Sequence, residues 1–207
     1  PAPGPTDHVA ALSQPAAGPT DSTDEGTFLA GSRTVVVDLC CGSGALGAAL
    51  VAALDGAELH AADIDPAAVE CARRNVAAVG GHVYEGDLYE PLPIMLRGRV
   101  DVLLANVPYV PSEEIALLPA EARLHEARVA LDGGADGLDV LRRVTTDAAR
   151  WLAPGGHLLF ETSERQVPHA VEIVTRDGLI PHVATSEEMY ATVIIATKPA
   201  LHPEPGA

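Results

Sequence analysis

Aromatic residues are scarce in this 207-residue chain, where Phe, Trp and Tyr together make up 3%. Apolar residues still reach 47%, so a core must be built from Ala, Val and Leu, and the length suffices for one domain with one sizeable core. Basic residues are the second shortage: 13 Lys and Arg stand against 29 Asp and Glu, a formal charge of −16. Such a surface repels a phosphate backbone and carries no basic stripe, which argues against a nucleic-acid substrate. Cysteine is limited to Cys40, Cys41 and Cys71, an odd count without metal-ligand spacing, which fits a reducing, intracellular setting. The histidines are equally scattered, and no metal is expected. No apolar run is long enough to span a bilayer, and no charged segment precedes an apolar one at the N-terminus. The expectation is a cytoplasmic protein that neither crosses a membrane nor shows a secretion signal.

What is present divides into three parts. Residues 1–33 hold Pro1, Pro3, Pro5, Pro15 and Pro19 among Ala, Gly, Ser, Thr and Asp, and read as a flexible Pro/Ala/Gly-rich leader with room for a short helix over His8 to Leu12. Residues 34–199 carry sustained hydrophobic periodicity and form the expected folded domain. A Pro-rich tail follows over 200–207, read as frayed.

Within the domain, strand and helix patterns alternate. Strands are expected at Thr34 to Asp38, Glu58 to Ala62, His82 to Glu85, Val100 to Ala105 and His157 to Glu161, with closing strands at Ile180 to Ala184 and Thr192 to Thr197. Helices are expected at Gly44 to Leu54, from Asp65-Pro66 to about Val79, at Gly137 to Trp151 and at Gln166 to Arg176. Asp65 can cap its helix and Pro66 can occupy the first turn, while Gly80-Gly81 ends it. Pro154-Gly155-Gly156 reads as a turn. Regular βα alternation implies a mostly parallel sheet with helices on both faces, and the last two strands read as an antiparallel pair.

Two stretches carry chemistry. Gly42-Ser43-Gly44-Ala45-Leu46-Gly47 matches G-x-G-x-x-G, and Asp63 lies 19 residues beyond Gly44. Glycines let a backbone approach a ligand, and a carboxylate at that distance can accept both ribose hydroxyls. NAD enzymes share that pattern. Asp38, four residues before Gly42, would oppose a dinucleotide pyrophosphate and instead suits a cofactor bearing an ammonium and a sulfonium. Asp38 and Asp63 also fit the simpler role of strand-end caps. Asp87 in Gly86-Asp87-Leu88 can hold an adenine amino group or act as a turn residue. Cys40 and Cys41 lack a basic neighbour and read as small buried fillers.

The second stretch is Asn106-Val107-Pro108-Tyr109, directly after the fourth strand. An amide nitrogen is a poor nucleophile because its lone pair is delocalised into the carbonyl, and accepting both of its N–H bonds aims it and enriches its electron density. The Asn106 side-chain oxygen and the Val107 carbonyl can do this, Pro108 stiffens the turn and Tyr109 can wall a flat acceptor. An ordinary strand-ending turn uses similar residues. Glu121 to Asp136, with His125, Glu126, Asp132 and Asp136, is expected to fold over the substrate side, His125 packing in a lid or solvated in preference to a catalytic role.

DLCCGSG, ADIDPAAVECARRN, GDLYEPLP, NVPY, HEARVALDGGADGLDVLRRV and LAPGGHLLFET together resemble the HemK/PrmC group of S-adenosylmethionine-dependent protein N5-glutamine methyltransferases, in its actinobacterial branch. The resemblance covers about Thr34 to Pro199. It implies a class I, Rossmann-like methyltransferase fold with seven strands and S-adenosyl-L-methionine as cofactor. By motif, Asp38, Gly42 and Gly44 would line the methionine end, with Cys40 at a position where glycine is common. Asp63 and Ile64 would serve the ribose, and Asp87 and Leu88 the adenine. Asn106, beside the cofactor, would hold the acceptor amide with Val107, Pro108 and Tyr109. The family's turn is usually Asn-Pro-Pro-Tyr, and Val107 replaces its first proline. The family's N-terminal helical domain and Pro-Arg-x-x-Thr-Glu segment have no counterpart in residues 1–33. The expected acceptor is a glutamine in a protein, such as a peptide-chain release factor, with a helper subunit as a conceivable partner. Rivals are methylation of an exocyclic base amine or small-molecule nitrogen, an NAD(P)-dependent oxidoreductase, and a non-catalytic cofactor-binding module.

Overall fold

The computed structural model describes residues 33–121 and 127–200. The expected leader through residue 32 and the short helix expected over His8 to Leu12, the tail from 201 on, and His125 and Glu126 lie outside the described residues. Seven strands form one sheet: β1 Val35–Leu39, β2 Glu58–Asp63, β3 His82–Glu85, β4 Val100–Ala105, β5 Leu152–Glu161, β6 Ile180–Ser186 and β7 Ala191–Thr197. Their order is β3-β2-β1-β4-β5-β7-β6. The first five run parallel, while β7 lies antiparallel between β5 and β6. The expected class of fold and the antiparallel closing pair are both borne out.

Burial explains the order. Every residue of β1 is buried, as a central strand covered on both faces must be, and its Val-Val-Val run supplies branched side chains to each. On one face, helices α1 (Ala45–Ala53) and α2 (Pro66–Val76) bring Val51, Ala72 and Val76 against Val36, Leu59 and Ala61. On the other, α4 (Asp139–Trp151) and α5 (Val167–Arg176) pack Leu141, Val144, Ala170 and Ile173 against Val37, Leu103 and Phe160. Asp65 caps α2 as expected, its side chain accepting the Ala67 N–H at 2.9 Å with Pro66 in the first turn.

Three readings shift. The Pro154-Gly155-Gly156 turn is absorbed into β5, because Gly155 N–H donates to Lys198 O and Lys198 N–H donates to Gly156 O. The interruption survives as a register shift, with Val100 opposite Leu152 but Val102 opposite His157. Helix α4 starts at Asp139 rather than Gly137, since Gly137 has φ 79° and Leu138 occupies the cap. Helix α2 stops at Val76, and Ala77–Val79 tightens into a 3₁₀ turn before Gly80 in the left-handed region. A short helix that the pattern did not suggest, α3 (Arg128–Leu131), follows the turn after β4. No helix among the described residues is long and apolar enough to cross a membrane.

Candidate active site

The order of the sheet reverses between β1 and β4, whose neighbours lead away in opposite directions. Ligands of open α/β sheets bind beyond the carboxyl ends of strands at such a switch point. Here Leu39 of β1 pairs with Ala105 of β4, so the loop from Cys40 to Gly44 and the turn from Asn106 to Tyr109 leave the sheet side by side.

The glycine loop is held open by backbone conformation. Cys40, Gly42 and Gly44 all have φ between 52° and 72°, a region that disfavours side chains other than glycine's. A Cβ on Gly44 would come within 2.8 Å of Val76, and one on Gly47 within 2.7 Å of the Asp38 carboxylate. These two glycines let α1 and α2 close on β1, with Asp38 enclosed beneath the helix start. Asp63 ties the loop to the second strand: it accepts the Gly42 N–H at 2.8 Å and the Asp65 N–H at 2.9 Å.

Asp38 is the electrostatic anomaly of the site. It is 1% exposed; its Oδ2 accepts the Gly47 N–H at 3.0 Å, and its Oδ1 has no partner among the described residues. Burial pushes its pKa up to about 7, with the Gly47 N–H opposing and the Asp63 charge adding. A buried carboxylate oxygen without a donor is costly. A cationic ligand group would relieve it, so the chemistry of the site fits the ammonium-bearing end of S-adenosylmethionine. Cys40 and Cys41 are pushed up to about 12, chiefly by burial with nearby carboxylates adding. Both remain thiols at neutral pH, in agreement with their reading as fillers.

A cavity of about 90 Å³ gathers Cys40, Asp63, Ile64, Asp87, Leu88 and Pro108, closed by Val129, Val140 and Arg143. Six of the residues expected at the cofactor or acceptor therefore meet in one place. Asp87 also makes an ion pair with Arg143 at 2.6 Å, a partner 56 residues away in sequence that no local pattern announces. Asn106 and Tyr109 do not enter this cavity. The exposed Asn106 borders a space of about 580 Å³ with Leu46, Leu104 and Met189, whereas Tyr109 borders two others of about 510 and 880 Å³. Between them Val107, 3% exposed, and the buried Pro108 anchor the turn.

The turn is fixed from outside by a residue the sequence reading missed. Gln166, 8% exposed, donates from Nε2 to the Tyr109 carbonyl at 2.9 Å and the Asp136 carbonyl at 3.0 Å. Its only sequence signal was a polar residue at the start of an amphipathic helix. Of the segment expected to fold over the substrate side, Leu131 and Gly133 lie directly against the end of the turn, with Val110 N–H donating to Leu131 O and Gly133 N–H to Val110 O. Asp132 is committed to Ser112, Gly134 and Arg128, and Asp136 to Arg142 and the Leu138 N–H. Both carboxylates are thus engaged within the protein, tying this segment to Ser112 before it and to Arg142 after it.

Comparison with known proteins agrees with this geometry. Residues 26–136 match the family described as methyltransferase small domain. The chain is 45% identical over 153 residues to the release factor glutamine methyltransferase of Gloeobacter violaceus, covering 72% of this chain and 52% of that protein. It is 42% identical over 134 residues to the ribosomal protein uL3 glutamine methyltransferase of Burkholderia pseudomallei, covering 61% and 43%. It thus spans about half the length of the curated relatives it matches. Among solved structures, a methyltransferase from Pyrococcus furiosus superposes with TM-score 0.59 at 17% identity, covering 84% of this chain and 78% of that one. A ribosomal protein L11 methylase from Lactobacillus delbrueckii subsp. bulgaricus does so with TM-score 0.57 at 15% identity, covering 83% and 73%. These two show the fold, and the sequence matches bear out the HemK/PrmC resemblance. By motif, fold and family match alike, the chain belongs to the methyltransferase small domain family.

Proposed function

We propose that this chain transfers the methyl group of S-adenosylmethionine to the side-chain amide nitrogen of a glutamine in a protein, in the cytoplasm. The observation that carries the reading is the pairing of Leu39 with Ala105: it sets a carboxylate-floored glycine loop beside an Asn-Val-Pro-Tyr turn. The family match and the names of the relatives, which act on release factors and on ribosomal protein uL3, support a protein acceptor of that class.

When bound, S-adenosylmethionine supplies an electrophilic methyl carbon on a sulfonium. The chain's own residues then have three tasks. Asp38 receives the ammonium end and Asp63 the ribose, beside the loop amides it already organises. Asn106 Oδ1 and the Val107 carbonyl accept the two N–H bonds of the acceptor amide. This orients its nitrogen lone pair and places fixed dipoles where positive charge develops on nitrogen. Pro108 and Gln166 keep those acceptors from drifting, so they need no reorganisation during the reaction. No strong base is required, because the methylated nitrogen is acidic enough to lose its proton to water.

The test combines titration calorimetry with S-adenosylmethionine and transfer of a tritiated methyl to release-factor or uL3 protein. Asn106→Ala should leave cofactor affinity nearly unchanged and reduce transfer by about 10²–10³-fold, as expected for one preorganised polar group. Equal transfer by the variant would refute the assigned role.

A further inference from the structure

The β6–β7 hairpin reaches past the sheet on the side where the acceptor turn lies. Glu161 at the end of β5 pairs with Val193, and the Thr162 N–H donates to Thr192 O. The tip at 187–190 therefore projects beyond the carboxyl end of β5. It separates two open spaces. The apolar one, about 580 Å³, touches Asn106, Leu46 and Met189. The polar one, about 880 Å³, is bordered by Tyr109, Glu161, Glu164, Glu187 and Tyr190. Glu161 and the hairpin residues Thr185, Ser186 and Ala191 border both, and the acceptor turn borders each, the apolar space at Asn106 and the polar one at Tyr109.

Two further features distinguish this trough. Tyr190 holds a left-handed backbone, φ 51°, and is 95% exposed, and Met189 beside it is 76% exposed. A side chain other than glycine's in that region costs about 1–2 kcal/mol, yet the strained position presents an aromatic ring to solvent instead of packing it. Outliers of that kind concentrate at ligand-gripping sites. The second feature is charge. Glu164 and Glu187 make no ion pair among the described residues, and Arg165, the one described basic side chain on the wall, is engaged by Glu114 in two contacts at 3.0 and 2.9 Å. The wall is left with three carboxylates and an exposed aromatic ring, within a chain of net charge −16.

We propose that this trough docks the acceptor polypeptide, and that it selects a segment carrying Arg or Lys next to the acceptor glutamine. The basic side chain lies among Glu161, Glu164 and Glu187 and against the Tyr190 ring, where cation–π attraction adds to the charge pairing. An apolar neighbour on the other side of the glutamine rests on Met189 and Leu46. A nucleic-acid strand is repelled by the same carboxylates. The inference rests on the glutamine-amide reading for its substrate and adds the sequence around that glutamine.

Binding and transfer are measured separately on the 207-residue chain with S-adenosylhomocysteine or S-adenosylmethionine present. The probes are fluorescein-labelled peptides with a central glutamine flanked by Arg, by Ala or by Glu. The Arg-flanked peptide should bind about 10-fold more tightly than the Glu-flanked one at low salt, with the contrast shrinking as salt screens it. The combined variant Glu161→Gln, Glu164→Gln, Glu187→Gln should abolish the contrast, and Tyr190→Ala should weaken the Arg-flanked peptide selectively. All four positions are exposed, and an unchanged melting temperature and S-adenosylhomocysteine affinity verify that the variants fold. Equal binding of the peptides, a contrast that survives the triple variant, or tighter binding of a single-stranded oligonucleotide overturns the docking site. Methyl transfer indifferent to the flanks overturns it while leaving the glutamine reading intact. Selective binding without transfer to any glutamine upholds the trough and removes the proposed reaction.

Discussion

Protonating or removing the Asp38 carboxylate should change both stability and cofactor affinity, with opposite consequences for the free and bound protein. In the folded chain its pKa rises from 3.8 to about 7, with burial the leading cause, which corresponds to about 4 kcal/mol against the buried charge. The sign follows from linkage. A folded-state value above the unfolded one means the folded protein holds a proton that the unfolded chain has released. The stabilising contribution is complete below about pH 4 and is lost as pH rises toward 7, at up to about 1.4 kcal/mol per pH unit. Asp38→Asn keeps the shape and an oxygen for the Gly47 N–H, but cannot titrate. Urea denaturation of both proteins across this range should give a stability difference that shifts in the variant's favour by a few kcal/mol, the slope vanishing above pH 7. A bound ammonium reverses the preference, so cofactor binding to the native chain should release close to one proton at pH 6. That release appears in calorimetry as a dependence on buffer ionisation enthalpy, and affinity should rise with pH up to about 7. The variant should bind more weakly and show neither effect. A stability difference that is flat with pH, or binding without proton release, would refute the assignment of Asp38 to the cationic end of the cofactor.

Gly47→Ala would place a methyl 2.7 Å from Asp38 Oδ2 and 2.9 Å from Leu59 Cδ1, and should destabilise by about 1–3 kcal/mol in a denaturation curve while weakening cofactor binding. Gln166→Glu replaces the amide donor that spans Tyr109 O and Asp136 O with an acceptor. It should cost about 1–3 kcal/mol and lower kcat more than it raises the cofactor's Kd. His60 is buried, held by Glu58 at 2.9 Å and Tyr84 at 3.0 Å and stacked on His82. Burial lowers its pKa below 6.5, against the pull of Glu58. The stability it contributes is present above pH 6.5 and lost as pH falls, and an NMR titration should show its ring protonating below the ordinary histidine value of 6.5.

Much of the scaffold was readable because its causes are local. The ranges of β3 and β4 coincide with the apolar pattern, and the Asp65-Pro66 start of α2 follows from cap chemistry that four residues contain. The β5 start was misread for a reason outside any local window. Pro154-Gly155-Gly156 has turn composition, but Lys198 supplies the backbone partners that keep it in the sheet. Lys198 also sends its Nζ to the carbonyls of Ala149 and Leu152 at 2.7 Å, sealing the end of α4. The candidate site divides likewise. The glycine loop and the acceptor turn were evident as motifs, whereas Gln166 and Arg143 reach Tyr109 and Asp87 from 57 and 56 residues away.

By itself the amino-acid order determined most of the element types, the glycine loop, the Asn-Val-Pro-Tyr turn and the acidic balance of the surface, because each depends on residues within a few positions or on composition. Only the tertiary structure decided that β4 lies beside β1, that Asp38 is sealed with one oxygen unpartnered among the described residues, and that the β6–β7 tip borders the same space as Glu161. Those facts depend on which strands pair and how deeply helices close on them. Strand pairing and burial are settled by the packing of the whole sheet, to which distant parts of the chain contribute together.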